Sequence, residues 1–199
     1  MCFQSKLSKK AAIIESRFKA TFTQKELFKP QSVIKGFDFP KTPVIVNTDT
    51  NAIEMLQWGL IPHWAKDESF KKYTLNARIE TLTEKPAFRN CIENRCIILT
   101  DGFYEWQHLG KEKYRFEIGY NDELFAFAGL YDEFNGELSY TIVTREAQGI
   151  MRDIHNTKLR MPYALCSDEN MNDWLSGGYP DPFYKFTTRP ELGNQLSIF

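Results

Sequence analysis

The sequence predicts an α+β fold built on a curled, mostly antiparallel β-sheet or open barrel with flanking helices. Three observations carry that prediction. From Arg95 onward, runs rich in β-branched and aromatic residues recur at 96–99, 103–107, 114–118, 124–130 and 140–143. The breaks between them hold turn residues: Gly110, Gly119 with Asn121-Asp122, and Asn135-Gly136. Asn-Gly is the strongest short hairpin signal, and two strands joined that way are antiparallel. Short helical patterns flank this β-rich region on both sides.

The elements follow in order. Ser8 is placed to cap a short helix through about Phe18, with Ala11, Ala12, Ile14 and Phe18 roughly on one face. Residues 43–46 and 53–60 read as strands. Residues 61–72 contain Pro62 and many polar side chains, which predicts a surface loop. Thr81 and Glu84 have capping-box spacing before a short helix with Pro86 in its first turn. Beyond the β-rich stretch, a helical turn leads to His155, a strand covers 161–165, and 168–175 reads as a helix. No internal repeat, low-complexity tract or Gly/Ser linker interrupts the chain, so residues 1–199 are predicted to form a single domain.

Composition narrows the function classes. Hydrophobic residues make up 42% and charged residues 26% of 199, which fits a globular chain with a real core and argues against disorder. The formal net charge of −1 argues against duplex binding by bulk charge, so a nucleic-acid partner must be read from local patches. Lys9-Lys10, Lys71-Lys72, Arg78, Arg89 and Arg95 are the candidates, although any one of them reads equally as a solvated charge. Aromatics reach 15%, enough to fill a core and leave rings over for stacking. The N-terminus is charged and lacks an apolar signal region, and no apolar run is long enough for a bilayer. The four cysteines show neither metal-ligand nor disulfide-framework spacing. A cytoplasmic protein without a metal is expected, with Cys91, Cys96 and Cys166 acting as small buried hydrophobes.

Cys2 is the most unusual residue. Removal of Met1 would leave a thiol and a free α-amine on adjacent carbons, a pair that condenses with an aldehyde. The amine forms a Schiff base, and the thiol then closes a five-membered thiazolidine ring. An α-amine with a pKa of about 8 is substantially neutral at cellular pH and needs little tuning. Taken alone, a cysteine at position 2 is uninformative. Glu105 lies in the run Phe103-Tyr104-Glu105-Trp106, where alternation puts it on the face of Phe103 and Gln107. Among aromatic residues its carboxyl would be desolvated and its pKa raised toward acid–base use. Pairing with an arginine on a neighbouring strand fits the pattern equally well. His155 is a natural proton shuttle near neutral pH, and Arg160 follows it closely, but a lone histidine is more often structural. Asn76 and Arg78 would share one face of an extended segment, suited to a phosphate or sugar oxygen. A turn asparagine beside a surface arginine would look the same.

Together these segments resemble the SOS-response-associated peptidase (SRAP) family of abasic-site processing proteins. The resemblance rests on Met1-Cys2, then Trp58-Gly59-Leu60-Ile61-Pro62-His63-Trp64, then Asn76-Ala77-Arg78-Ile79-Glu80-Thr81. It continues through Arg95-Cys96-Ile97-Ile98-Leu99-Thr100-Asp101-Gly102-Phe103-Tyr104-Glu105-Trp106, and ends on Ile154-His155 and Arg160-Met161-Pro162. The resemblance implies that Cys2 is a covalent nucleophile and that Asn76 holds the opened sugar or the N-terminus. It implies proton transfer by Glu105 and His155, stacking by Trp64 and Tyr73, and phosphate contacts by Arg78 and Arg160. The implied partner is single-stranded DNA containing abasic sites, bound by a monomer without a cofactor. Two stretches depart from the usual pattern. Phe3-Gln4 stands where the family commonly has Gly-Arg, and Asn156-Thr157-Lys158-Leu159 lengthens the interval between His155 and Arg160.

Two other readings stay open on the sequence. An N-terminal-thiol peptidase or amidohydrolase could use Cys2, Glu105 and His155, but leaves Trp64, Arg78 and Arg160 without a task. A single-strand DNA-binding module explains those three and leaves Cys2, Glu105 and His155 unused. Cys2→Ala separates them: plain binding survives, whereas peptidase activity and cross-linking both vanish.

Overall fold

The computed structural model describes residues 2–182 and 184–191. The early elements are β1 (Gln4–Leu7), α1 (Ala11–Phe18), β2 (Thr21–Phe22), β3 (Gln31–Lys35), β4 (Lys41–Val46), β5 (Asp49–Trp58) and β6 (Asn76–Arg78). Next come β7 (Arg95–Thr100), β8 (Gly102–Leu109), β9 (Glu112–Gly119), β10 (Phe125–Phe134) and β11 (Glu137–Glu146). The chain continues through α2 (Met151–Ile154), β12 (Arg160–Pro162), β13 (Ala164–Leu165), α3 (Asp168–Leu175) and β14 (Thr187–Pro190). Among the described residues, no helix is long and apolar enough to cross a membrane.

The curled sheet expected from the sequence closes on itself. Strands β5, β4, β7, β10 and β11 pair antiparallel in that order, and β11 then meets β5 in parallel through Ser139↔Gln57 and Tyr140↔Trp58. The interior is filled by the β-branched and aromatic residues that predicted these strands, with Ile98, Phe127 and Ile142 fully or almost fully buried. At the closing seam Trp58 stacks on Tyr140, and both rings satisfy their polar ends. The Trp58 indole donates to the Leu75 carbonyl at 2.9 Å, and the Tyr140 hydroxyl lies 2.7 Å from that of Thr42. Gly59 permits the seam. It adopts φ +107°, its N–H donates to the Tyr140 carbonyl at 2.9 Å, and a Cβ there would meet the Lys71 carbonyl at 2.9 Å. The β10–β11 hairpin turns on Asn135 and Gly136, both at positive φ, as its dipeptide predicted.

A second sheet, ordered β14-β9-β8-β1-β3, positions the N-terminus. β1 runs antiparallel to β8 with Ser5 opposite Phe103 and Lys6 opposite Gly102. In that register the chain preceding Ser5 is carried toward Glu105. The short, half-polar strands β1 and β3 were not evident in the sequence.

Three local expectations are corrected. Ser8 does not cap α1. Its N–H and hydroxyl both bind the Asp101 carboxylate, at 3.0 and 2.6 Å, and Lys10 precedes the helix without a side-chain cap. Thr81 and Glu84 open no α-helix. Residues 79–81 form one 3₁₀ turn, and Glu84 and Lys85 then donate to the Thr81 carbonyl in a run of separate turns. The strand expected over 161–165 is split at Tyr163. Its N–H binds β11 at Val143 while its carbonyl accepts from β10 at Ala128, so the chain crosses from one strand to the other.

Candidate functional site

The strand register delivers Cys2 to a buried position with no solvent exposure. Its thiol points at the Gln4 carbonyl, 3.6 Å away. Its own carbonyl accepts a 2.9 Å hydrogen bond from the Asn76 side-chain amide. Asn76 is fixed because it opens β6, which lies parallel to β11 with Asn76 opposite Ile142. Ala77 points into the core, so Asn76 and Arg78 fall on one side, as their spacing predicted. With its nitrogen committed to Cys2, the Asn76 side-chain oxygen is buried and has no hydrogen-bond partner among the described residues.

Glu105 lies on β8 and is 3% exposed. Burial pushes its carboxyl up to about 8, so it is largely protonated at neutral pH. Burial, reinforced by the Glu105 charge, also pushes the Cys2 thiol well above the ordinary thiol range. His155 follows α2 and is nearly buried. Its Nδ1 is 2.6 Å from the Arg160 carbonyl, which assigns the proton to Nδ1 and leaves Nε2 facing Glu105 Oε2 at 3.8 Å. That gap is longer than a hydrogen bond. Burial lowers the His155 pKa. Near pH 7 the cluster therefore holds a carboxylic acid, a neutral imidazole and a neutral thiol, able to give a proton at Glu105 and take one at His155 Nε2.

Two clefts flank Cys2. One, of about 490 Å³, is lined by Asn76 together with Trp64, Phe70, Tyr73, Arg78 and Lys85. Trp64 is 41% exposed and packs edge-on against Phe70, and Tyr73 is 73% exposed with the Lys72 ammonium 5.0 Å from its ring. The other, of about 480 Å³, is lined by Glu105 and His155 together with Phe3, Trp106, Lys113 and Lys158. Cys2 lies between them, bonded to the Asn76 side and electrostatically coupled to the Glu105 side.

The structure thus gathers Cys2, Asn76, Glu105 and His155, and sets Trp64, Tyr73 and Arg78 along the adjoining cleft. Arg160 is not brought to that surface. It is 8% exposed, forks onto both Glu80 oxygens at 2.7 and 3.0 Å, and donates to the Thr144 carbonyl at 2.7 Å. Arg95, one of the candidate surface cations, is also buried, sandwiched between the Trp174 and Tyr179 rings. Phe70, Lys85 and Glu80 were not singled out from the sequence. Glu80 sits in the segment that holds Asn76 and Arg78, but nothing in the sequence pairs it with an arginine 80 positions on.

The sequence matches the family described as SOS response associated peptidase (SRAP) over residues 1–196. It is 45% identical over 149 residues to the Bacillus subtilis abasic site processing protein YoqW, covering 71% of this chain and 65% of that one. It is 32% identical over 161 residues to the Xenopus tropicalis abasic site processing protein HMCES, covering 66% of this chain and 47% of that one. The chain therefore spans just under two thirds of the first of these relatives and about half of the second. A crystal structure of a Bacteroides thetaiotaomicron protein superposes with a TM-score of 0.86 at 30% identity, covering 96% of this chain and 93% of that one.

Proposed function

The chain belongs to the SOS response associated peptidase family, and we propose that it processes abasic sites by capturing their aldehyde in single-stranded DNA through Cys2, once Met1 is removed. The observation that carries this reading is the grip of Asn76 on the Cys2 peptide group beside a protonated Glu105. The relatives named for abasic site processing support the substrate class.

The ionisation states set an order of events. An abasic sugar rests mainly as a closed hemiacetal; Glu105 gives a proton to the ring oxygen and regains one from the C1′ hydroxyl as the aldehyde forms. The Cys2 thiol is held neutral, so the α-amine attacks the aldehyde carbon first, guided by the Asn76 oxygen, which has no hydrogen-bond partner among the described residues. Water leaves the resulting carbinolamine with a proton from Glu105, giving a protonated imine. The thiol sulfur then adds to the imine carbon and its proton returns to the Glu105 carboxylate. One aldehyde, one amine and one thiol thereby become one thiazolidine and one water, with no oxidant required. An open imine invites β-elimination and strand cleavage, and ring closure removes it. His155 Nε2 relays protons during closure and reversal. Trp64 and Tyr73 stack on bases, Arg78 meets a phosphate, and Arg160 acts by positioning His155 through its backbone carbonyl.

Blocking the aldehyde tests the reading. Methoxyamine treatment of an abasic oligonucleotide should abolish the covalent adduct while leaving reversible binding intact. An adduct that survives the treatment would contradict capture at the aldehyde.

A further inference from the structure

We propose that the cleft beside Glu105 and His155 seats the nucleotide on one flank of the lesion, its base against the Phe3–Phe37 pair and its phosphate between Lys113 and Lys158. This rests on the reading of the protein as a binder of abasic single strands. The cleft volume of about 480 Å³ lies within the roughly 300–1,000 Å³ of small-ligand sites.

One wall is aromatic and rigid. Phe3 lines the cleft, and its ring centroid is 4.9 Å from that of Phe37, which is 58% exposed. The Phe3 carbonyl accepts from the Gly36 N–H at 2.9 Å, and Gln4 pairs with Lys35 across β1 and β3, so the backbone next to both rings is tied to the sheet. Every base offers a π-face to such a surface, whatever the sequence.

The rest of the lining carries two cations on a loop whose backbone is tied down. The Asn156 side chain acts as a strand partner for the end of β8, donating to the His108 carbonyl at 2.8 Å and accepting from the His108 N–H at 3.1 Å. Leu159, at φ +49°, closes the loop onto the His155 carbonyl and holds the Ala147 N–H with its own. Lys158 is thereby presented at the rim, facing the cleft that Lys113 also lines. Among the described residues neither lysine is in an ion pair, whereas Lys6, Lys25, Lys41 and Lys71 each hold a carboxylate. Among the described residues Glu105 is the only carboxyl lining the cleft, and it is largely protonated near pH 7, so Lys113 and Lys158 give the cleft a positive charge that selects an anion. The two stretches that depart from the family pattern, Phe3 and the loop 156–159, meet at this one cleft.

The test uses two short single strands carrying tetrahydrofuran, an abasic analogue without an aldehyde, with nucleotides on the 5′ side only or the 3′ side only. Phe37→Ala should weaken binding of one strand by at least about fivefold. Lys113→Ala with Lys158→Ala should lower the salt slope on that same strand by about 0.7 per lost phosphate contact. The other strand should bind as it does to the unmodified protein. Equal losses on both strands, or no loss on either, would overturn the assignment. Cross-linking of an aldehyde-bearing strand by the unmodified protein reports separately on capture, so a failure there leaves the one-sided binding result standing on its own.

Discussion

The Asn76 amide nitrogen lies 2.9 Å from the Cys2 carbonyl, joining the start of β6 to the segment that enters β1. This contact fixes the peptide group next to the Cys2 thiol, and it leaves the Asn76 oxygen as a buried acceptor without a partner among the described residues. Asn76→Ala should therefore slow abasic-site capture by about a hundredfold while leaving affinity for a tetrahydrofuran strand within a few-fold. Single-turnover cross-linking and fluorescence anisotropy separate the two effects. A parallel loss in both would make Asn76 a binding residue only.

Glu105 predicts a bell-shaped pH dependence. The α-amine becomes nucleophilic as pH rises through about 8, and the Glu105 carboxyl loses its proton at about 8 as well. Capture should peak there and fall on both sides. Glu105→Gln should lower the maximal rate by about 10²–10⁴-fold and abolish the alkaline fall. Rate profiles for both proteins over the same buffers would show it, and an unchanged alkaline limb would remove Glu105 from the proton path.

The same carboxyl has a stability consequence of opposite sign to that of a salt-bridged acid. In the folded protein it titrates near 8, against an ordinary value of 4.5. Between those values the unfolded chain has released a proton that the folded chain retains, so stability falls as pH rises through that window. Glu105→Gln removes this loss. Its advantage over the unmodified protein should grow with pH by up to ~1.4 kcal/mol per unit, and urea unfolding at a series of pH values measures it. An advantage that shrinks with pH would contradict the buried, protonated state.

Arg160 separates a positioning role from a phosphate contact. Arg160→Lys loses the fork onto Glu80 and should cost roughly 2 kcal/mol of stability, with the salt dependence of DNA binding unchanged. Lowering of the salt slope by about 0.7 at constant Tm would instead give Arg160 to the DNA.

Trp64→Ala and Tyr73→Ala remove exposed rings from the Asn76 cleft. Each should weaken single-strand binding by about 1–3 kcal/mol, read by anisotropy, without shifting the pH profile of capture. A shifted profile with unchanged affinity would argue against stacking.

The readable parts of this molecule were those whose signals are local. The β-branched runs gave β7, β10 and β11, and Asn135-Gly136 gave the β10–β11 hairpin; the aromatic neighbours of Glu105 marked its desolvation, although alternation did not, because Tyr104 is buried along with Phe103 and Glu105. What escaped the sequence depends on long-range partners. β1 and β3 are short and half polar, and they exist because each pairs with the other and with β8. The parallel β5–β11 seam that closes the barrel has no local signature. Ser8 has the chemistry of a helix cap, but Asp101, 93 positions away, competes for its hydroxyl and wins. Arg160 read as a free cation because its partner Glu80 lies on a separate turn. The place of Lys158 at the second cleft depends on Asn156 bridging 48 positions back to His108 on β8, which has no local signature.

The most direct test is the identity of the covalent adduct. The protein is incubated with a single-stranded oligonucleotide bearing one abasic site, resolved on a denaturing gel beside an undamaged strand, and the shifted band is digested for mass spectrometry. The account predicts a stable adduct on an N-terminal peptide that lacks Met1 and begins at Cys2, dependent on the lesion and absent from Cys2→Ala. No adduct from protein whose N-terminus is already trimmed, or an adduct on any other residue, would contradict it.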